Sequence, residues 1–129
     1  MFSILDVADQ IHERVSEALS RIDLSYPKYE VLKHLVEAGE PVTLGGLAEG
    51  QSCARSNITQ LIDRLESDGL VRRVADADDR RSIRAELTLT GTAKAEEGKR
   101  EMERVVAEFE SALTDRERID FVRLLLKLG

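Results

Sequence analysis

The densest run of residues able to do chemistry lies between positions 55 and 84. It holds seven arginines (55, 64, 72, 73, 80, 81 and 84), six acids (63, 66, 68, 76, 78 and 79) and no lysine. A planar guanidinium fork matches phosphate oxygens and the edge of guanine, so this composition points to nucleic acid. The whole chain of 129 residues carries a formal charge of −6. That total does not exclude such a partner. Phosphate affinity depends on the local field, screened over about 8 Å in physiological salt, and the run is near neutral at +1 while the remainder carries −7. A merely solvated surface also produces arginine runs. What decides between the two is the set of elements that would hold these arginines.

Other chemistries fail on residue type or spacing. Asp76, Asp78 and Asp79 suggest a calcium loop, but the required glycine and distal glutamate are missing, and turn residues bracing arginines are the better reading. His12 and His34 fall on separate segments with no further partners, so there is no catalytic constellation and the chain reads as a non-enzyme. Two histidines and one cysteine make no structural zinc site, and nothing calls for a metal or another cofactor. Cys53 cannot close an internal disulfide, which suits the cytoplasm. It precedes a helix, where thiol pKa values fall, so a redox role competes with that of a small, partly buried residue. Five aromatics (Phe2, Tyr26, Tyr29, Phe109, Phe121) are too few for stacking on single strands. No apolar run approaches the ~20 residues of a membrane span. The start, Met1-Phe2-Ser3-Ile4-Leu5-Asp6, lacks the basic and apolar regions of a signal peptide.

The elements that must position the arginines follow from periodicity. Ile4, Ala8, Ile11, Val15, Ala18 and Ile22 repeat at alternating steps of four and three, predicting a helix over 4–22 with a heptad seam. Ser25 stands as an N-cap with Pro27 in the first turn, and Gly39 and Pro41 end that second helix. Val42-Thr43-Leu44 is a short extended piece, and Thr43 caps a brief, glycine-rich helix through about Glu49. From Ala54 a stronger helix runs to about Asp68, with Ile58, Leu61, Ile62 and Leu65 on one face and Gly69 as terminator.

The period then changes to two. Leu70–Val74 and Ile83–Leu89 read as strands joined by a polar tip, 75–82. Thr88 or Thr90 caps a long helix through about Ala112, and a last helix covers about 115–128. The expected fold is therefore mainly α with a small β-hairpin: a winged helix-turn-helix lobe at 26–89 and a helical lobe from 1–24 and 90–129, whose first helix buries its stripe against its own domain or a partner subunit, all in one domain. In that arrangement the helix from Ala54 enters the major groove. Its polar side offers Ser56, Thr59, Gln60 and Asp63, flanked by Arg55, Asn57 and Arg64, all types that read base edges or hold phosphates.

Ser56-Asn57-Ile58-Thr59-Gln60-Leu61-Ile62-Asp63-Arg64-Leu65-Glu66, Gly69-Leu70-Val71-Arg72-Arg73, Asp78-Asp79-Arg80-Arg81-Ser82 and Leu87-Thr88…Gly91 resemble the MarR (multiple-antibiotic-resistance regulator) family. The likeness extends over nearly the whole chain. It implies a homodimeric, effector-responsive transcription factor, usually a repressor, straddling a pseudo-palindromic site on double-stranded DNA. By this resemblance Arg81 matches the wing-tip arginine that enters the minor groove, and Asp79 the acid that braces the wing. The recognition positions become Ala54 through Gln60. The family often has Ser or Thr where Ala54 stands; alanine supplies no capping oxygen, which leaves Ser52 as the nearest substitute.

The full set expected to touch DNA is Arg55, Ser56, Asn57, Thr59, Gln60, Arg64, Arg80 and Arg81. An aromatic or phenolic effector is implied by the resemblance alone, with His12, Tyr26 and Tyr29 as candidate contacts between the dimer helices and the DNA lobe. Two competing readings use the same scaffold. One is a protein-interaction module kept off DNA by its acidity; the other is a thiol-based sensor centred on Cys53. The apolar seam at 4–22 and the apolar sides of 102–113 and 119–126 are expected to form a homodimer interface.

Overall fold

The computed structural model describes residues 3–51 and 55–129, and for residues 55 and 56 the backbone only. Ser52, Cys53 and Ala54, with the capping and thiol roles considered for them, lie outside the described residues.

Ser3 opens α1 (Ile4–Ser20) with a capping box: its Oγ accepts from the N–H of Asp6, and the Asp6 carboxylate accepts from the N–H of Ser3 at 3.1 Å. The helix stops two residues before the expected end, and Asp23 takes a left-handed φ of 59° in the turn that follows. Ser25 caps α2 (Tyr26–Ala38), and Gly39, at φ 68°, ends it in the left-handed conformation that glycine adopts without a Cβ clash. The extended piece becomes β1 (Val42–Thr43), and Thr43 caps α3 (Leu44–Gly50) through a 3.1 Å bond from the N–H of Gly46. Then come α4 (Arg55–Ser67), β2 (Val71–Ala75), β3 (Ile83–Leu87), α5 (Leu89–Glu110) and α6 (Asp115–Leu128).

The hairpin is wider than expected by one strand. β1 pairs antiparallel with β3 (Val42 opposite Ala85), giving the order β1-β3-β2. Across the hairpin Arg72 stands opposite Glu86 and Val74 opposite Arg84. Leu32 of α2, Leu47 of α3, and Ile58, Ile62 and Leu65 of α4 are fully buried in one core with Val71 and Ala85 of the sheet. Removal of so much apolar surface from water is the main force holding α3 and α4 to the sheet.

One sequence expectation needs correction. The apolar side of 102–113 is covered in part within the chain, with Val106 left exposed. Val105 is buried and Met102 and Phe109 are half-buried, because α5 packs along α1 and covers Val15, Ala18 and Leu19. Arg14 pairs with Glu108 across the same seam and lies over the Phe109 ring. Exposed apolar surface instead concentrates at Ile4, Leu5 and Val7 and along α6. Within α6 no residue is buried, and Ile119, Phe121, Val122, Leu124, Leu125, Leu126 and Leu128 all face solvent. No helix among the described residues is long and apolar enough to cross a membrane.

Candidate nucleic-acid interface

Burial of Ile58, Ile62 and Leu65 fixes how α4 lies, and leaves Asn57, Thr59, Gln60 and Arg64 exposed on its other side. Arg55 and Ser56 open the helix. Asp63, expected to share this polar side, turns to the sheet instead. Its carboxylate accepts from Arg73 Nη2 at 2.6 Å. Arg73 Nη1 reaches Glu66 at 2.8 Å, and the backbone N–H of Arg73 donates to the other Glu66 oxygen at 3.0 Å. Those bonds, the backbone one foremost, hold the Glu66 carboxyl below its ordinary value. One arginine at the start of the wing is thus fastened to two successive acids of the helix that precedes it. The periodicity reading missed this clamp. Its signal was present as two carboxylates spaced i, i+3 on one helix face with an arginine in the next strand.

The wing tip is built from carboxylates acting on backbone. Asp76, 9% exposed, accepts from the N–H of Asp78 at 3.1 Å and from Arg84 Nε at 3.3 Å. These contacts, again led by the backbone bond, push its carboxyl below the usual range. Arg84 Nη1 donates in turn to the carbonyl of Pro41 at 3.2 Å, tying the tip to the loop before β1. Asp79 accepts from the N–H of Arg81 at 2.9 Å and from Ser82 Oγ at 3.4 Å, while the N–H of Ser82 donates to the Asp79 carbonyl at 3.0 Å. Arg80 and Arg81 therefore occupy the middle of a closed turn, both exposed.

Six of the seven arginines divide by partner. Arg72 pairs with Glu86, Arg73 with Asp63 and Glu66, and Arg84 with Asp76. Arg64, Arg80 and Arg81 make no ion pair among the described residues. Three guanidinium groups thus hold the wing, and three arginines of the wing tip and α4 keep a charge able to meet phosphate.

The three residues considered for an effector separate. His12 and Tyr26 meet edge to face at 5.0 Å, with His12 exposed and Tyr26 half-buried. Tyr29 is 5% exposed in the core, its ring so close to Gly98 that a Cβ there would come within 2.6 Å. Burial raises the pKa of both tyrosines. Among the described residues no group of three or more His, Cys, Asp or Glu side chains is placed to hold a metal.

Comparison with known proteins agrees with this geometry. The chain is 31% identical over 126 residues to YsmB of Bacillus subtilis, an uncharacterized HTH-type transcriptional regulator, covering 98% of this chain and 86% of the relative. It is 29% identical over 119 residues to the HTH-type transcriptional repressor Rv2887 of Mycobacterium tuberculosis, covering 92% and 85%. A crystal structure of a mutant MarR from E. coli complexed with operator DNA superposes with a TM-score of 0.83 at 26% identity, over 97% of this chain and 89% of that one. The model of the MarR family matches residues 24–83, the stretch from the turn after α1 through α2, α3, α4 and β2 to the first residue of β3. With a winged helix-turn-helix between α1 and α5, and relatives named as regulators along nearly its full length, the chain belongs to the MarR family of transcriptional regulators.

Proposed function

We propose that the protein is a sequence-specific regulator binding double-stranded DNA as a homodimer on a pseudo-palindromic operator, most often as a repressor. The observation that carries this reading is the pair of guanidinium groups, Arg80 and Arg81, that make no ion pair among the described residues and are presented by a turn that Asp79 closes. An interaction-only wing gains nothing from such a tip. The exposed side of α4 supplies the major-groove contacts: Asn57, Thr59 and Gln60 toward bases, with Arg55, Ser56 and Arg64 completing the set. Gln60 is suited to the paired donor and acceptor of adenine. The operator complex of the E. coli MarR supports the same docking for this chain.

Homodimerisation is supported by the bare apolar faces of α6 and of the first turns of α1, which together exceed what a small monomer leaves in water. The lobes divide as 26–89 for DNA and 1–24 with 90–129 for assembly. A small aromatic or phenolic effector would bind at the junction of the lobes, where His12 and Tyr26 offer an edge-to-face pair; Tyr29, in the core, would act only through Tyr26. Selection of bound sequences from a random duplex pool, at several salt concentrations, tests the reading. Enrichment of an inverted repeat supports it, and capture of no preferred sequence leaves the protein-interaction alternative standing instead.

A further inference from the structure

The chain passes between its two lobes twice, at 24–26 after α1 and at 88–90 before α5. At the first crossing the N–H of Leu24 donates to the Leu19 carbonyl at 3.0 Å, and that of Asp23 to the Ser20 carbonyl at 3.2 Å. These bonds close α1 with a Schellman turn, in which Asp23, at φ 59°, holds the left-handed place that glycine usually fills. The carbonyl of Ile22 takes no part in that closure. It accepts instead from Lys94 Nζ of α5 at 2.9 Å, and Glu97, 3.4 Å from the same ammonium, steadies it. Lys94 thereby fastens the second crossing to the first, so the lobe at 26–89 cannot swing about one while the other stays.

The apolar contacts of α5 near this point resist separation better than sliding. Over its first three turns α5 buries Gly91, Ala95 and Gly98, spaced four and three apart on one face. Gly98 lies flat on the Tyr29 ring of α2, where a Cβ would come within 2.6 Å of the ring and 3.3 Å of Leu24. A face without projecting side chains offers no ridge to lodge in a groove, and apolar burial has no direction of its own. A charge-assisted bond to one carbonyl does. We propose that Lys94 is a positioning residue for operator binding: its bond fixes the lobe carrying α4 against the lobe that dimerises, and so sets the separation of the two copies of α4. The role rests on the dimeric DNA reading above. Packed helices shift by about 1–2 Å in switching proteins, so two unfastened joints would allow about 2–4 Å, against a base-pair step of ~3.4 Å.

The test compares Lys94→Met, Lys94→Arg and Lys99→Met, the last removing the same charge from an exposed lysine of α5 that has no ion pair among the described residues. Fluorescence anisotropy with the inverted repeat selected from the random pool, and with one half-site alone, gives the gain from two-site binding. Lys94→Met should lower that gain about three- to tenfold while half-site affinity stays within about twofold, because a looser joint dilutes the effective concentration at the second half-site. Lys94→Arg, which keeps a charged donor, should restore the gain, and Lys99→Met should leave it as in the parent. Without DNA, a nitroxide at Ser67→Cys in a Cys53→Ser chain reports the distance between the two copies of α4 by double electron–electron resonance. Lys94→Met should broaden that distribution by about 2–4 Å. An undiminished gain, an equal loss in Lys99→Met, no rescue by Lys94→Arg, a half-site loss as large as the operator loss, or an unbroadened distribution each overturns the role. A parent that selects no duplex overturns the DNA reading and the role with it. A parent that selects an inverted repeat, matched by Lys94→Met, overturns the role alone.

Discussion

Asp79 and Arg81 are two residues apart and opposite in charge, yet they serve one task. The carboxylate holds the N–H of Arg81 and the hydroxyl of Ser82, so the guanidinium leaves the turn in a restricted set of directions. Arg81→Ala should weaken binding to most duplexes and lower the salt dependence of log K by about one for each charge removed. Preference for A·T-rich flanks, where a narrow minor groove concentrates negative potential, should fade as well. Dimerisation and thermal midpoint should stay near the parent's because the tip is exposed. Asp79→Ala should also weaken binding, although it removes a negative charge. Fluorescence anisotropy across a salt series checks both variants, and a gain in affinity from Asp79→Ala would refute the bracing role. The arginine-rich tip was legible in the sequence from residue type alone. The work of Asp76 was not, because burial of one aspartate among three depends on Arg84 arriving from the opposite strand.

Between elements, the joints are polar and short. Thr88 caps α5 through Gly91, donates its hydroxyl to the Gly69 carbonyl at 2.7 Å, and places its N–H on the Leu70 carbonyl at 3.1 Å. A Cβ at Gly91 would stand 1.9 Å from that same carbonyl oxygen. Gly91→Ala should therefore force α5 off the hairpin and destabilise the fold by about 1–3 kcal/mol, in the range of overpacked sites. A denaturation midpoint unchanged within error would show that the joint yields freely. The acid dependence of the wing follows from Glu66 and Asp76, whose folded-state values are depressed from 4.5 and 3.8. Such groups stabilise the fold above their unfolded values and lose that contribution as pH falls through the folded ones. Stability should hold near neutrality and decline below about pH 4.5. Glu66→Gln should flatten the decline, as read by chemical denaturation at a series of pH values. Helix periods and caps made every element of this region visible in advance, with ends displaced by a residue or two. The pairing of the extended piece at 42–43 with β3 and the Arg73 clamp were not visible, since both join segments whose approach no local pattern encodes.

At the scale of the molecule, the apolar faces divide into those covered within the chain and those left open. α5 and the second half of α1 cover each other, and α6 has no cover. Of the seam at 4–22, Val15 and Ala18 are buried within the chain while Ile4 and Ala8 are exposed, a division that sequence alone does not give because it does not say which chain supplies the covering helix. Leu125→Glu combined with Leu128→Glu should give a monomer with unchanged helix content and lose most operator affinity, since each half-site then binds alone. Light scattering beside circular dichroism checks this, and a dimer that persists would place assembly elsewhere. The Arg73 clamp has a further consequence, for spacing along the duplex. Because Asp63 and Glu66 of α4 share one guanidinium with β2, α4 and the wing are expected to move as a single body. One inserted base pair turns the groove by about 35°, a tenth of the helical repeat. An operator lengthened between a half-site and its own flank should thus lose the wing contact outright. The same insertion at the dyad is met by whatever freedom the subunit interface allows, so the outer distances of the operator should be strict and the inner one more forgiving.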